Sequence, residues 1–241
     1  MRIIVCDDYD GLSLTAAKMI ASQILLKPNS VLGLATGSTP VGTYNILMKM
    51  YADGETDFKD VLTFNLDEYY PIRDDNPQSY HYFMKEHLFS KININPSNVH
   101  ILNGTVTDAA AECKTFERLI KKSGGIDLQL LGIGKNGHIG FNEPEANLNA
   151  GTHLTKLTQS TIEANSRFFE NVDDVPTHAL TMGIATILRS KKIVLLASGE
   201  EKQHIISSLL EGGISTAIPA TMLKVHPDVT IICDRAAYKG V

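Results

Sequence analysis

Short, continuously apolar runs alternate with segments of helical period along most of this chain, and this alternation limits the possible folds more than any other feature. Residues 3–6, 12–26, 31–35 and 41–50 read as strand, helix, strand, helix. The pattern continues through residues 61–66, 79–89, 99–102, 107–122, 127–131, 193–197, 200–210 and 229–233. Strands that are apolar on both faces are typical of a parallel sheet covered by helices on both sides. We therefore predict a doubly wound, mostly parallel α/β sheet with helices on both faces.

The length of 241 residues fits one large α/β domain as well as two small ones. No Pro-rich or Ser/Gly-rich linker divides the chain, so we expect residues 1–241 to form a single domain. Residues 142–176 are less regular and mix Asn, Thr, Glu and Gly. This stretch is either a lid over a substrate or an ordinary surface excursion, and the residues alone leave both open.

The charge balance and the cysteines narrow the class of protein. With 22 Lys and Arg against 27 Asp and Glu, the chain lacks the basic footprint of a nucleic-acid-binding protein. Acidic residues at positions 7 and 8 interrupt any signal peptide, and no apolar run approaches the ~18 residues of a membrane span. We expect a cytoplasmic protein without membrane or nucleic-acid partners.

The three cysteines, Cys6, Cys113 and Cys233, lack CxxC spacing and are expected to be buried, reduced thiols.

Ligands of an open parallel sheet bind beyond the carboxyl ends of the strands, and three polar segments of this chain lie there. The first follows the strand at 31–35 and contains Gly37, Ser38 and Thr39, with Pro40 opening the next helix. A glycine turn, hydroxyl groups and a helix N-terminus together form a cradle for an anion such as phosphate. A helix cap without any ligand is an equally good interpretation of this segment.

The second segment carries Asp67 and Glu68 just after the apolar strand at 61–66. Alternation along a strand sends the two carboxylates to opposite sides, so they do not share one proton and at most one enters a pocket. A carboxylate among apolar neighbours can become basic enough to take a proton from carbon. For the residues taken alone, a solvated acid at the end of a strand is the better interpretation.

The third segment is rich in glycine. Gly132, Gly134 and Gly137 match the G-x-G-x-x-G pattern of dinucleotide-binding loops. We reject that interpretation because Gly140 and Pro144 interrupt the long helix that such a loop should open, and because the motif lies in the middle of the chain.

The same segment carries polar side chains suited to proton transfer. Histidine is the side chain whose unperturbed pKa suits proton transfer near neutrality, which makes His138 a candidate acid or base. Glu143 can orient its ring, and Asn136 lies two residues before it. A single histidine in a glycine loop is more often structural, but this combination at the end of a strand favours catalysis. The eight histidines include no HExxH motif and no Cys/His cluster, so we expect no metal site.

Five motifs in this order resemble the glucosamine-6-phosphate deaminase family. They are ATGSTP at 35–40, NLDEY at 65–69, GIGKNGHIGFNEP at 132–144, ANSRFF at 164–169 and SGEEK at 198–202. The likeness covers nearly the whole chain. It implies conversion of glucosamine 6-phosphate and water to fructose 6-phosphate and ammonium, without a metal or an organic cofactor.

The resemblance also implies a role for each matching residue. Asp67 would move a proton between C2 and C1 of the sugar, and His138, held by Glu143, would open the pyranose ring. Asn136 stands where some members of the family have Asp, and an amide there can orient a neighbour but adds no charge.

The substrate phosphate would lie on Gly37, Ser38 and Thr39, with cationic contacts from Arg167 and Lys202. Without the resemblance, the arginine and the lysine would read as ordinary surface residues.

The resemblance also bears on regulation. Larger members that respond to N-acetylglucosamine 6-phosphate carry basic residues soon after the Asn-Glu-Pro segment and form hexamers. Here no Arg or Lys lies between Lys135 and Lys156, so we expect an unregulated enzyme that is a monomer or a low-order oligomer.

Two other functions remain as alternatives. One is a 6-phosphogluconolactonase, which has a similar fold and Gly-His loop but needs no base for a C2 proton. The other is a sugar-phosphate sensor that binds without turnover, against which the presence of both Asp67 and His138 argues.

Overall fold

The structure is a computed structural model that describes residues 1–166, 175–238 and 240, apart from the side chains of residues 160 and 164–166. Its strands are β1 Arg2–Cys6, β2 Val31–Leu34, β3 Leu62–Asn65, β4 Asp67–Tyr70, β5 Val99–His100, β6 Leu128–Gly132, β7 His153–Lys156, β8 His178–Thr181, β9 Lys192–Ala197 and β10 Val229–Asp234. Its α-helices are α1 Tyr9–Leu26, α2 Val41–Ala52, α3 Tyr80–His87, α4 Ala109–Lys122, α5 Gln159–Ser166, α6 Ile184–Leu188 and α7 Gln203–Glu211.

Polar side chains just before three of the helices explain where those helices begin. Asp8, Ser79 and Asp108 each accept a hydrogen bond from a backbone N–H in the first turn that follows, at 2.8, 3.0 and 2.9 Å. These bonds satisfy donors that a helix start leaves unpaired. The predicted helix at 107–122 therefore begins two residues later, at Ala109, after its Asp108 cap.

Seven strands form the central sheet, in the order β1-β10-β9-β6-β2-β3-β5, and all its strand pairs are parallel. One apolar cluster covers the face packed by α1, α2 and α3, and a second covers the face packed by α4, α6 and α7. Neighbouring residues of a strand alternate between the two clusters: Val31 belongs to one and Leu32 to the other. The predicted doubly wound sheet with helices on both faces is confirmed.

A second, three-stranded sheet was not predicted. It has the order β4-β8-β7, and both of its pairings are antiparallel. The sequence prediction of a polar loop after the strand at 61–66 is wrong, because the chain turns at Leu66 and continues as β4 in this second sheet. Asp67 and Glu68 concealed the strand, since acidic residues are depleted in strands and here both are buried.

The predicted lid at 142–176 contains β7 and α5. Residues 167–174 of that range lie outside the described residues, and the lid stays a prediction.

The cysteines agree with the expectation of free thiols. Cys113 and Cys233 are buried, whereas Cys6 is only partly buried, because it belongs to β1 at the edge of the sheet. Burial raises the pKa of Cys113 and of Cys233 to about 11, which disfavours a reactive thiolate. None of the helices within the described residues is both long and apolar enough to cross a membrane.

Candidate active site

The order of the central sheet brings the predicted site segments to one edge. From β2 the chain adds β3 and β5 in one direction, then returns to β6 on the other side of β2 and continues outward through β9 and β10. The crevice between β2 and β6 is therefore the point at which the winding direction reverses, where open α/β sheets bind ligands. Four consecutive neighbours in the sheet, β3, β2, β6 and β9, lead into the predicted site segments. Asp67 follows β3 and the 37–39 loop follows β2, whereas His138 follows β6 and Lys202 follows β9.

The loop of Gly37, Ser38 and Thr39, here called the anion loop, lies between β2 and the start of α2. Gly37 has a φ of 93°, which confirms the turn that requires glycine. Among the described residues, no group accepts a hydrogen bond from the three backbone N–H groups of this loop. Free amides next to a helix N-terminus are the geometry of an anion cradle.

Lys202 ends a short 3₁₀ helix after β9, and its Nζ donates to the carbonyl of Ile133 at 2.8 Å. Ile133 directly follows β6, so the lysine is anchored at the start of the glycine-rich segment. Asp234 holds the other end of the lysine's loop. It accepts hydrogen bonds from the Ser198 hydroxyl and, at 3.2 Å, from the Gly199 N–H. The predicted contact residue Arg167 lies outside the described residues, so its place in the site stays a prediction.

Asp67 is the first residue of β4 and is 6% exposed. No described group donates a hydrogen bond to its carboxylate. Burial, followed by the nearby negative charge of Glu68, raises the pKa of Asp67 to about 8. An aspartate in this state is a much stronger base than an exposed one.

Glu68 points away from Asp67 and plays a structural part, as the alternation of the strand predicts. It is fully buried, and its carboxylate accepts hydrogen bonds from the N–H groups of Tyr69, Tyr80 and His81 at 2.8, 2.9 and 3.0 Å. Nδ1 of His81 lies 2.9 Å from the same carboxylate. Tyr80 and His81 are the first residues of α3, so Glu68 places a negative charge at that helix N-terminus.

His138 is held in the glycine-rich segment by close packing. Its ring lies against Gly134, where a β-carbon would come within 2.4 Å of Nδ1. The two residues also pair through their backbones, since Gly134 N–H donates to the carbonyl of His138 at 2.9 Å. The imidazole remains 25% exposed, so one edge of the ring can reach a ligand.

Glu143 stands beside that ring and is 3% exposed. Its Oε2 lies 3.3 Å from His138 Nδ1, a close ion-pair distance at which the alignment falls short of a hydrogen bond. Asn136 Nδ2 donates to the same oxygen at 2.7 Å, and the hydroxyl of Thr161 donates to Oε1. Burial alone would raise the pKa of Glu143, but its contacts with His138, Thr161 and Asn136 outweigh burial and lower the pKa to about 2.

Asp67 and the histidine segment come close together at Gly140. A β-carbon there would lie 3.5 Å from Asp67 Oδ2 and 2.9 Å from the hydroxyl of Thr181, which pairs with Asp67 across β4 and β8. Three aromatic rings pack nearby: the Tyr69 ring is 4.9 Å from Tyr80 and 5.8 Å from Phe141, centroid to centroid. Asp67 therefore lies beside His138's segment in a largely apolar setting.

Several supporting residues could not be predicted from the sequence. Thr161 comes from α5 and Tyr9 from α1, and both reach the site only through the tertiary fold. No local pattern marks either of them. Asp234 had a weak signal, since it is the acidic residue that ends the apolar run at 229–233.

Comparisons with known proteins agree with the motifs. A family model described as glucosamine-6-phosphate isomerases/6-phosphogluconolactonase matches residues 10–232. The chain is 57% identical over 239 residues to a glucosamine-6-phosphate deaminase of Clostridium acetobutylicum, with 99% of each chain covered. It is 54% identical over 237 residues to the deaminase of Halothermothrix orenii, with 98% of each covered.

Two solved structures of proteins with these activities have the same fold as this chain. A monomeric glucosamine-6-phosphate deaminase superposes with a TM-score of 0.96 at 47% identity and 98% coverage of both chains. A 6-phosphogluconolactonase of Trypanosoma cruzi superposes with a TM-score of 0.79 at 21% identity, covering 98% of this chain and 95% of the other. That second likeness shows the fold alone. The match to the family model and the high identity over the full chain show that this protein belongs to the family of glucosamine-6-phosphate isomerases and 6-phosphogluconolactonases.

Proposed function

We propose that this protein is a glucosamine-6-phosphate deaminase, which converts glucosamine 6-phosphate and water to fructose 6-phosphate and ammonium. The observation that carries the proposal is that two buried carboxylates have pKa values shifted in opposite directions, upward for Asp67 and downward for Glu143. Asp67 is buried and receives no hydrogen bond from the described residues, and Glu143 is held beside His138. The two relatives that are 54% and 57% identical bear the name of this activity.

Ring opening comes first and falls to His138. The histidine takes the proton of the C1 hydroxyl and delivers one to the ring oxygen, which breaks the bond between C1 and that oxygen and leaves an open-chain aldehyde. The carboxylate of Glu143 lies 3.3 Å from Nδ1 on the buried side of the ring, so that the exposed edge of the ring faces the substrate.

Asp67 then acts as the base for the isomerisation. Its carboxylate removes the proton from C2 while the aldehyde oxygen on C1 takes up a proton from solvent, which gives an enol with the amino group on C2. The protonated carboxyl group then returns a proton to C1, and the amino group on C2 loses one to solvent. The resulting imine at C2 takes up water and releases ammonia, which is protonated to ammonium, leaving the ketone of fructose 6-phosphate. A carboxylate with a pKa of about 8 suits the removal of a proton from carbon near neutral pH.

The phosphate of the substrate lies on the anion loop in this proposal. The N–H groups of Gly37, Ser38 and Thr39, which have no acceptor among the described residues, bind its oxygens, and Lys202 and Arg167 add positive charge. The position of the loop beside α2 and across the crevice from the glycine-rich segment supports this assignment.

One incubation separates this function from its alternatives. With glucosamine 6-phosphate, a deaminase releases ammonium and fructose 6-phosphate in equal amounts. A lactonase leaves this substrate intact and hydrolyses 6-phosphogluconolactone, and a sensor binds the sugar phosphate without releasing ammonium. Binding without ammonium release would therefore contradict the proposal.

We also propose that the enzyme is unregulated by N-acetylglucosamine 6-phosphate. A small polar pocket, partly open to solvent, adjoins Glu143. The described residues that line it include Glu145 and His153 but no Lys or Arg. An anionic effector would meet two carboxylates there, so we expect hyperbolic kinetics. A sigmoidal rate curve that N-acetylglucosamine 6-phosphate shifts would overturn this part of the proposal.

For the assembly and the compartment, we propose a monomer or low-order oligomer in the cytoplasm, without nucleic acid as a partner. The net charge of −5 supports the last point. The solved deaminase with a TM-score of 0.96 is itself described as monomeric, which supports the first.

A further inference from the structure

Helix α2 begins without a cap of its own. Pro40 precedes it, and no side chain at that position accepts a hydrogen bond from the first turn. The cap comes instead from α1, because the N–H of Gly42 donates to the hydroxyl oxygen of Tyr9 at 2.8 Å. A residue 33 positions earlier in the chain thus does the work of a local Ser or Asp.

The same hydroxyl also holds the anion loop. Its proton is shared between the carbonyl oxygens of Ser38 and Thr39, at 3.1 and 3.0 Å. One phenol therefore joins three consecutive parts of the segment: the last two residues of the loop and the first turn of α2.

These bonds determine where the loop's donors point. In a planar trans peptide the C=O and the following N–H point in opposite directions. Because the carbonyl of Ser38 turns toward Tyr9, the N–H of Thr39 must turn away from it, and no described group accepts that N–H. The tyrosine keeps this donor available to a ligand on the far side of the loop.

We propose that Tyr9 is a positioning residue for the substrate phosphate, which holds the anion loop in its binding geometry before the ligand arrives. The inference rests on the proposed function, because it takes the anion loop as the phosphate site. A loop that is already ordered loses less entropy when its ligand binds, so the benefit appears in affinity for the phosphate group.

A second tyrosine reaches the same region but makes a poorer probe. The Tyr44 hydroxyl donates to the carbonyl of Ala35 at the start of the segment, and its ring is fully buried in the core. Any change at Tyr44 disturbs packing, whereas Tyr9 is partly exposed and Tyr9→Phe removes only an oxygen atom.

The test compares Tyr9→Phe with the wild type in two constants, the KM for glucosamine 6-phosphate and the inhibition constant for inorganic phosphate. We expect both to rise together by about three- to tenfold, the factor that the loss of one neutral hydrogen bond gives. The kcat should change less than twofold, because Tyr9 touches none of the groups that move protons. Tyr82→Phe is the matched control, since the hydroxyl of Tyr82 has no partner among the described residues, and it should leave both constants unchanged.

The outcomes separate this inference from the proposed function. If the wild type releases no ammonium, the proposed function is wrong. If the wild type is active and inhibited by phosphate, but Tyr9→Phe has unchanged KM and inhibition constants, only the role of Tyr9 is overturned. A fall in the kcat of Tyr9→Phe at constant KM would also overturn the role of Tyr9.

Discussion

Asp67 and Glu143 are two carboxylates buried to nearly the same degree, 6% and 3% exposed. Their surroundings nevertheless shift their pKa values in opposite directions. Asp67 receives no hydrogen bond from any described group, and its pKa rises to about 8. Glu143 receives hydrogen bonds from Asn136 and Thr161 and faces His138, and its pKa falls to about 2. Burial alone therefore does not decide the role of an acid. The absence of donors suits Asp67 to act as a base, and the presence of donors favours the ionised form of Glu143.

The largest effect should come from removing the base. We expect Asp67→Asn to lower kcat about 10³-fold, within the range for loss of a general base. It should also stabilise the fold. The folded pKa of about 8 lies above the unfolded value of ~3.9, so wild-type stability falls as pH rises between these values.

An asparagine escapes that loss, because it has no proton to release. Thermal unfolding of Asp67→Asn and wild type at pH 5 and pH 8 should show a Tm advantage for the variant that grows with pH. A variant less stable than wild type at pH 8 would contradict the raised pKa of Asp67 in the folded protein.

A smaller loss is expected at the ring-opening residue. His138→Gln should lower kcat about 10²-fold on the pyranose substrate, because the acid and base for ring opening is gone. Part of the rate should return when the substrate is supplied in open-chain form, as assayed by ammonium release. His87→Gln, at the far end of α3, serves as the control and should behave like wild type. Equal losses on both forms of the substrate would argue against the role of His138.

Glu143→Gln should lower kcat about tenfold and, unlike Asp67→Asn, destabilise the fold. The folded pKa of about 2 lies below the unfolded value of ~4.3, so the charge contributes stability that is present above ~4.3 and lost as pH falls toward 2. Thermal unfolding at pH 7 should give a lower Tm for the variant, and the difference should shrink at pH 3. A higher Tm at pH 7 would break the contrast between the two carboxylates.

The smallest effect is expected at Asn136, where its amide N–H donates to Glu143. Asn136→Asp replaces that donor with a like charge, which should raise the pKa of Glu143 and lower kcat a few-fold at pH 7. The pH dependence of kcat should shift with it. Asn147→Asp adds the same charge at an exposed position four residues after Glu143, and it should change neither the kcat nor its pH dependence. An unchanged pH profile in Asn136→Asp would show that the amide does not act on Glu143.

The sequence predicted the central sheet well, for a physical reason. A strand covered on both faces must be apolar throughout, and a run such as residues 193–197 shows this directly. Strand β4 escaped because its first two residues are acidic, and their burial depends on partners far away in the chain. Two of the N–H groups that donate hydrogen bonds to Glu68 belong to α3, and the strand that pairs with β4 is β8.

The candidate site shows the same division. Residues that we propose carry the chemistry, such as Asp67 and His138, lie in motifs at strand ends and could be found by reading along the chain. Residues that hold them in place could not. Thr161 and Tyr9 act through contacts across 18 and 33 positions, and nothing in their local sequence predicts a partner. The state of Asp67 also depends on burial, which only the fold supplies.

Hydrogen exchange at C2 tests the difference between Asp67 and Glu143 most directly. Glucosamine 6-phosphate is incubated in D₂O with wild type, Asp67→Asn or Glu143→Gln, and deuterium is measured at C2 of the remaining substrate and at C1 of the product. We predict deuterium in both positions with wild type, slower incorporation with Glu143→Gln, and none with Asp67→Asn. Incorporation by Asp67→Asn at the wild-type rate would contradict the assignment of Asp67 as the base.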